Sequence, residues 1–282
     1  MPINKAHSVL ERLRNLAKLT GRDFQAMLLL YAQERFLARL AVSQHRQKFV
    51  LKGGMFLYSR YRNAARPTQD MDFAGRATPS QIDPILEMMR DVFSLDLDDG
   101  VIFNLEGLTG SSIAEEAKYA GVRVKTEALI VRARLPITLD IGFGDEITPA
   151  PTLQTYPNLL QDEPFELFTV TLETLVAEKF QAMVVLGDRN TRLKDFYDLY
   201  RIATSETLQA GTLCLALERT FARRETSLEA ARDFLEQGFT DQANRQQLWQ
   251  GYLRRSKLDA PEDFAEVMKR IRVFLEPVLA ES

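Results

Sequence analysis

Cysteine is nearly absent: Cys214 is the only one in 282 residues. An intramolecular disulfide is thereby excluded, and so is a cysteine-built metal knot. Histidine is as scarce, with only His7 and His45, so a His-based zinc site is not expected. No stretch approaches the roughly 18 consecutive apolar residues of a membrane-spanning helix. The opening residues MPINKAHSVLERLRNLAK hold no continuous apolar segment of the kind a secretory leader carries. A cytoplasmic protein without membrane association is the expectation. Charge of one sign is also lacking. The net charge is −3 and the isoelectric point about 5.7, which excludes a chain coated throughout with basic residues. There is no internal repeat and no low-complexity tract.

What is present is a globular composition, 45% hydrophobic and 27% charged. The charge is unevenly spread. Residues 1–69 carry 13 Lys or Arg against the three acids Glu11, Asp23 and Glu34. Such an asymmetry hints at an anionic partner, and equally fits basic surface helices.

Apolar positions Val9, Leu10, Leu13 and Leu16 recur at helical spacing, Gly21 interrupts, and Asp23 is placed to open a second helix running through Ser43. Phe49-Val50-Leu51 predicts a strand, Gly53-Gly54 a tight turn, and Met55 to about Arg62 a helix. Gln69–Ala74 alternates polar and apolar as a strand does. A helix from Pro79 to Phe93 and strands over 101–105, 122–129 and 130–142 follow. The proline-rich segment 147–157 is the expected boundary, dividing the chain into 1–150, a helical arm plus α/β core, and 151–282, mainly helical. One short strand over 165–170 precedes six helices that fill the remainder.

Strand periodicity puts Asp70 and Asp72 on one face and Met71 and Phe73 on the other. Two carboxylates so placed repel each other unless a cation sits between them, and hard divalent ions take oxygen ligands. In ITLDIGFGD, Ile137, Leu139, Ile141 and Phe143 form the expected buried face and Asp140 lies opposite. If that strand neighbours the first, three carboxylates converge, a set that can hold metal ions for phosphoryl transfer. Asp140 could also accept the proton of an attacking hydroxyl. Against this stands the plain reading of a solvated acidic strand.

Lys52-Gly53-Gly54 lets the backbone approach a phosphate at a helix N-terminus, or simply makes a turn. Lys179 flanks an apolar stripe of Leu172, Val176, Phe180 and Met183. A cation there must snorkel out or meet an anion. Asp195 and Asp198, three apart on one helix, face the same way and could orient Lys179 or Arg192. The C-terminal basic residues, among them Arg219, Arg254 and Lys269, could neutralise RNA phosphates, but interleaved acids fit a solvated surface as well.

The segments FVLKGGMFLYSRY and RPTQDMDF, then ITLDIGFGD and TLETLVAEKFQAMVVLGDRNTRLKDFYDLYRI, resemble in matching order the nucleotidyltransferases of the DNA polymerase β superfamily, and more narrowly the AbiEii/MenT-type toxins. The resemblance implies an α+β fold: a polymerase-β-type nucleotidyltransferase core with a mixed sheet, N-terminal helices and a C-terminal helical bundle. It implies that Asp70, Asp72 and Asp140 bind Mg²⁺ or Mn²⁺ and that Lys52, Gly53 and Gly54 cradle an NTP. Lys179 would meet the NTP phosphates, with Asp195 and Asp198 in the acidic element after it. Thr68 would contact the nucleotide or be modified. It further implies transfer of NMP to an acceptor, the tRNA 3′ end foremost, met by the basic N-terminal arm, and an antitoxin as partner. Met55 departs from the pattern, since the superfamily carries Ser or Thr after the glycines. Three alternatives stay open: a protein-modifying (AMPylating) transferase, a non-catalytic nucleotide- or RNA-binding module, and a kinase-like phosphate transfer to a partner on the same metal site.

Overall fold

The computed structural model describes residues 3–114, 120–160, 163–239 and 241–280. They group into two compact units. The first comprises Met1–Ser59, Pro67–Gly144 and Leu153–Thr169, and the second Arg60–Arg66, Asp145–Thr152 and Val170–Ser282.

The first unit opens with two helices, α1 (Ile3–Thr20) and α2 (Phe24–Val42). Asp23 caps α2 as its sequence position suggests, its carboxylate accepting from the Ala26 amide at 2.9 Å. The sheet that follows contains β1 (Phe49–Lys52), β2 (Asp70–Gly75), β3 (Ile102–Phe103), β4 (Thr109–Ala114), β5 (Ala120–Ile130), β6 (Ala133–Phe143), β7 (Thr152–Tyr156) and β8 (Phe165–Thr169). Its order is β3-β5-β6-β2-β1-β8-β7, with β4 paired to the outer side of β5. The sheet is mixed: β2 runs parallel to β6 and antiparallel to β1, while β1 runs parallel to β8.

Two helices complete the unit, α3 (Gly53–Tyr61), which leaves β1, and α4 (Ile82–Ser94), which follows β2. Helix α2 packs on β6, β8 and α4. Met71 and Phe73 of β2 and Leu139 and Ile141 of β6 are buried. Phe73 meets Phe36 of α2 edge-on at 6.1 Å, and Phe36 continues to Phe93 at 4.7 Å. This apolar face fixes which way β2 and β6 lie, because a one-residue slip would turn Phe73 to solvent and Asp72 into the core.

Two strands were not expected from the sequence. β4 is built of TGSSIA, whose small polar residues show no alternation. β7 is enclosed by Pro151 and Pro157 in the expected boundary segment. The prolines flank the strand, TLQTY, and do not interrupt it, so neither removes a ladder amide.

The second unit is helical: α5 (Leu172–Leu186), α6 (Leu193–Ser205), α7 (Ala210–Arg223), α8 (Leu228–Gln237), α9 (Gln242–Ser256) and α10 (Phe264–Ala280). Thr171, Ser227 and Asp241 cap α5, α8 and α9 with side-chain oxygens. Helix α5 packs on α7, and α10 on α6, α7 and α8. Phe180, Phe196, Phe221 and Trp249 are fully buried, and Trp249 donates its indole N–H to the Pro261 carbonyl at 2.8 Å. Trp249 and Phe264 therefore serve the core.

Candidate active site

The acidic face of the first unit is assembled by strand register. Asp72 of β2 lies directly beside Asp140 of β6, and Asp70 beside Thr138. On the other side of β2, Lys52 of β1 is the partner of Asp72. On the far side of β6, Arg123 of β5 is the partner of Asp140. Cross-strand partners point to the same face of a sheet. One row across four strands therefore reads Arg123, Asp140, Asp72, Lys52, two cations enclosing two anions. Asp70 stands two residues along on the same face. Asp70, Asp72 and Asp140 are all half-buried, whereas the residues between and beside them, Met71, Phe73, Leu139 and Ile141, are buried.

The start of β2 is tied down from two directions. Gln33 of α2 donates its side-chain amide to the Gln69 carbonyl at 2.8 Å. The Thr68 hydroxyl donates to the Asp70 carbonyl at 3.0 Å. Neither bond engages a carboxylate, so the backbone under Asp70 is fixed while its side chain stays available.

β1 passes into α3 through Gly53, whose φ of +66° is the left-handed conformation that glycine adopts without strain. A second constraint acts at the same residue. A Cβ there would fall 2.0 Å from Asp72 Oδ2. The bare Gly53 backbone lies against the Asp72 carboxylate. The first amides of α3 have no intrahelical acceptors, and the helix dipole is positive at that end. An acidic residue and an anion-binding helix start are thus adjacent.

Arg123 closes the row. Its Nε and a terminal nitrogen donate to the two oxygens of Asp140 at 2.7 and 2.6 Å. Those hydrogen bonds, and after them the negative fields of Asp140, Asp70 and Asp72, hold the guanidinium above its already high ordinary pKa. All three acids therefore act on one neighbourhood. As donors they are the hard oxygens a divalent cation takes. As placed, no three acidic, His or Cys side chains converge at metal-binding distances among the described residues. Both oxygens of Asp140 are engaged by Arg123.

Arg123 carried no signal as a single residue in the sequence. In the structure a tight hairpin, in which Ile130 pairs with Ala133, sets Arg123 opposite Asp140.

Lys179, Asp195 and Asp198 come together in the second unit. Lys179 Nζ lies 2.6 Å from Asp195 Oδ1 and 2.8 Å from Asp198 Oδ2. Arg66 Nε reaches both oxygens of Asp198 at 3.1 and 3.0 Å, and Arg192 lies 3.0 Å from Asp195. Apart from Arg192 the cluster is buried. Burial disfavours the Lys179 charge, but Asp195 and then Asp198 outweigh it and the pKa is raised. Burial likewise works against the Asp195 carboxylate, and Lys179 followed by Arg192 overcomes it, so that pKa is lowered. Arg66, next to Pro67, was not anticipated from the sequence as a partner of Asp198.

About half of the positive excess of residues 1–69 is answered by acids elsewhere in the chain, Asp98, Asp99, Glu166, Asp198 and Glu206. Within the first unit Lys5, Arg14, Arg35, Arg39 and Arg46 pair with Asp98, Glu11, Glu34, Asp99 and Glu166. Within the second, Arg60 and Arg66 pair with Glu206 and Asp198. The charge left to attract an external anion is smaller than the count suggests.

Comparison with known proteins follows the same lines. A family model described as "Nucleotidyl transferase AbiEii toxin, Type IV TA system" matches residues 35–270. Among solved structures the chain is similar to JHP933 from Helicobacter pylori, at 16% identity and a TM-score of 0.52, covering 92% of this chain and 94% of that one. It is similar to the same degree, 16% identity and TM-score 0.52, to an H. pylori protein provisionally described as a nucleotidyltransferase, covering 92% of this chain and 96% of that one. At this identity the likeness concerns the fold. Among curated proteins, none matches the sequence. No helix among the described residues is long and apolar enough to cross a membrane.

Proposed function

The chain belongs to the AbiEii family of nucleotidyl transferase toxins, and from that premise we propose that it transfers a nucleoside monophosphate from an NTP to the 3′ end of tRNA, on the face of the sheet that carries Asp70, Asp72 and Asp140. The observation that carries this reading is the register of β2 on β6, which sets Asp72 directly beside Asp140 with Asp70 on the same face.

Asp70, Asp72 and Asp140 would hold Mg²⁺ or Mn²⁺. Such ions draw negative charge off the triphosphate and align the attacking and leaving oxygens. The amides at the start of α3, exposed by Gly53 and Gly54, would receive phosphate oxygens next to Asp72. Lys52 would add positive charge from the same row. Asp140, once one of its oxygens is released, would take the proton of the acceptor hydroxyl as it attacks the α-phosphorus, while pyrophosphate leaves. Thr68 holds the backbone from which Asp70 projects, and by family resemblance its hydroxyl would contact the nucleotide. The work of the protein is then mainly positioning and charge stabilisation.

The role of Lys179 on the phosphates is supported by family resemblance alone; its ion pairs with Asp195 and Asp198 support only the expectation that these two acids orient it. The type IV toxin–antitoxin membership of the family supports a cognate antitoxin as partner.

The test is incubation of purified protein with total tRNA and each α-labelled NTP in turn, with RNA and protein resolved on separate gels. Label on tRNA that disappears in Asp70→Ala is expected. Label confined to protein would overturn the tRNA acceptor and favour a protein-modifying transferase. Absence of any label would favour a binding module.

A further inference from the structure

We propose that Arg123 is a built-in counter-cation of the acidic face, a positioning residue that holds Asp140 in the metal-free protein and competes with a divalent ion for the same two oxygens. The inference rests on the reading of Asp70, Asp72 and Asp140 as metal ligands.

The register makes the case. Asp72 and Asp140 lie on neighbouring strands about 4.8 Å apart, with their carboxylates on one face. Without compensation that contact is repulsive. The protein supplies compensation at each end of the row, Lys52 beside Asp72 and Arg123 beside Asp140. The two ends differ in kind. A guanidinium forms a planar two-pronged bond with a carboxylate, and both prongs are made here, at 2.7 and 2.6 Å. A lysine ammonium is a point charge on a flexible stem.

Arg123 takes one lone pair on each oxygen of Asp140, and the charge of a divalent ion on all three acids would repel the guanidinium. Metal loading at Asp140 and the Arg123 fork are therefore mutually opposed. Arg123 also has somewhere to go. Its side chain is 38% exposed against 21% for Asp140, and its neighbour on the outer strand is the small, exposed Ser111. Release into solvent leaves no buried charge behind. In the metal-free state the fork holds both oxygens of Asp140 on Arg123 of β5. Once released from Arg123, Asp140 would have one oxygen to hold the ion and the other to take the acceptor proton.

The experiment is a Mn²⁺ titration followed by electron paramagnetic resonance, without nucleotide, on the full chain. Arg123→Gln removes the charge and Arg123→Lys keeps it without the fork. The expected result is a Kd for Mn²⁺ at least fivefold lower in Arg123→Gln than in the wild type, with Arg123→Lys between them. An unchanged Kd in both variants, with Mn²⁺ still bound and still lost in Asp70→Asn, would overturn the role of Arg123 and leave the metal-site reading intact. No Mn²⁺ binding in any of the proteins would overturn both. A Kd raised in Arg123→Gln would show that Arg123 supports metal binding and would also overturn the proposal. Circular dichroism on each variant confirms that the compared proteins are folded.

Discussion

The carboxylate of Asp72 lies where a side chain on Gly53 would have to be, with Asp72 Oδ2 only 2.0 Å from the Cβ position. Gly53 is thus required twice over, by its positive φ and by the acid packed against it. The consequence links local backbone to the proposed chemistry: the first amides of α3 lie beside a carboxylate that would hold a metal ion, and so beside the phosphate that ion would bind.

Gly53→Ala tests that link. The left-handed conformation alone costs a side chain about 1–2 kcal/mol, and the Cβ must also displace the Asp72 carboxylate. Nucleotide transfer should fall by roughly a hundredfold or more, since misplacing a reacting group by about 1 Å costs about that much. Thermal unfolding should show a midpoint lowered by only a few degrees. A Gly53→Ala protein with full activity would remove the phosphate-cradle role of this turn.

Asp70→Asn and Asp72→Asn should separate folding from activity. Both carboxylates are half-buried on the sheet face away from Phe73, so the apolar core is not disturbed. The expected stability change is within about 1 kcal/mol in urea unfolding, with a small gain in Asp72→Asn because Asp72 and Asp140 repel each other. Transfer of labelled NMP should drop by about two orders of magnitude or more in each variant. Equal losses of stability and activity would assign the acids a structural role instead.

Much of this was legible in the sequence, for identifiable reasons. The alternation in QDMDF and ITLDIGF is steep, with Phe73 and Ile141 fully committed to the core, so the acid faces followed at once. Helix starts at Asp23, Thr171 and Ser227 were legible because a capping side chain sits at each. β4 and β7 were not, because a strand at the margin of a sheet needs no alternation, and the prolines flanking β7 read as breakers. The partners of the acids were hidden for a different reason. Arg123 and Arg66 reach Asp140 and Asp198 over separations of 17 and 132 residues, which sequence periodicity does not connect.

The Thr68 hydroxyl, which donates to the Asp70 carbonyl at 3.0 Å, provides a milder perturbation. Thr68→Val keeps the shape and removes the donor. The loss of one neutral hydrogen bond predicts about 1 kcal/mol of destabilisation. Because the bond steadies the backbone of Asp70 without touching its carboxylate, Mn²⁺ affinity should weaken by only a fewfold, and Thr68→Ser should restore it. A Thr68→Val variant that binds Mn²⁺ normally yet fails to bind NTP would move the hydroxyl from backbone support to nucleotide contact.

The Lys179 cluster makes a prediction about acid. Asp195 has its folded-state pKa lowered from the ordinary 3.8, against burial, by Lys179 and Arg192. A carboxyl that is more acidic folded than unfolded contributes stability that is present above its unfolded pKa. That contribution is lost as the pH falls through the folded value. Stability measured in urea should therefore be flat with respect to this group above about pH 5 and decline steeply below about pH 4. Lys179 has the opposite sign. Its raised pKa adds stability that persists below its ordinary 10.5 and fades only at more alkaline pH, so it adds no slope in the acid range. Asp195→Asn should flatten the acid decline and, by leaving Lys179 with Asp198 alone, lower stability at pH 7. Lys179→Met should be worse there, by about 3–5 kcal/mol, because it leaves two buried carboxylates sharing Arg66 and Arg192. If Lys179→Met unfolds at the wild-type urea concentration at pH 7, the ion cluster is not what holds α5 to α6.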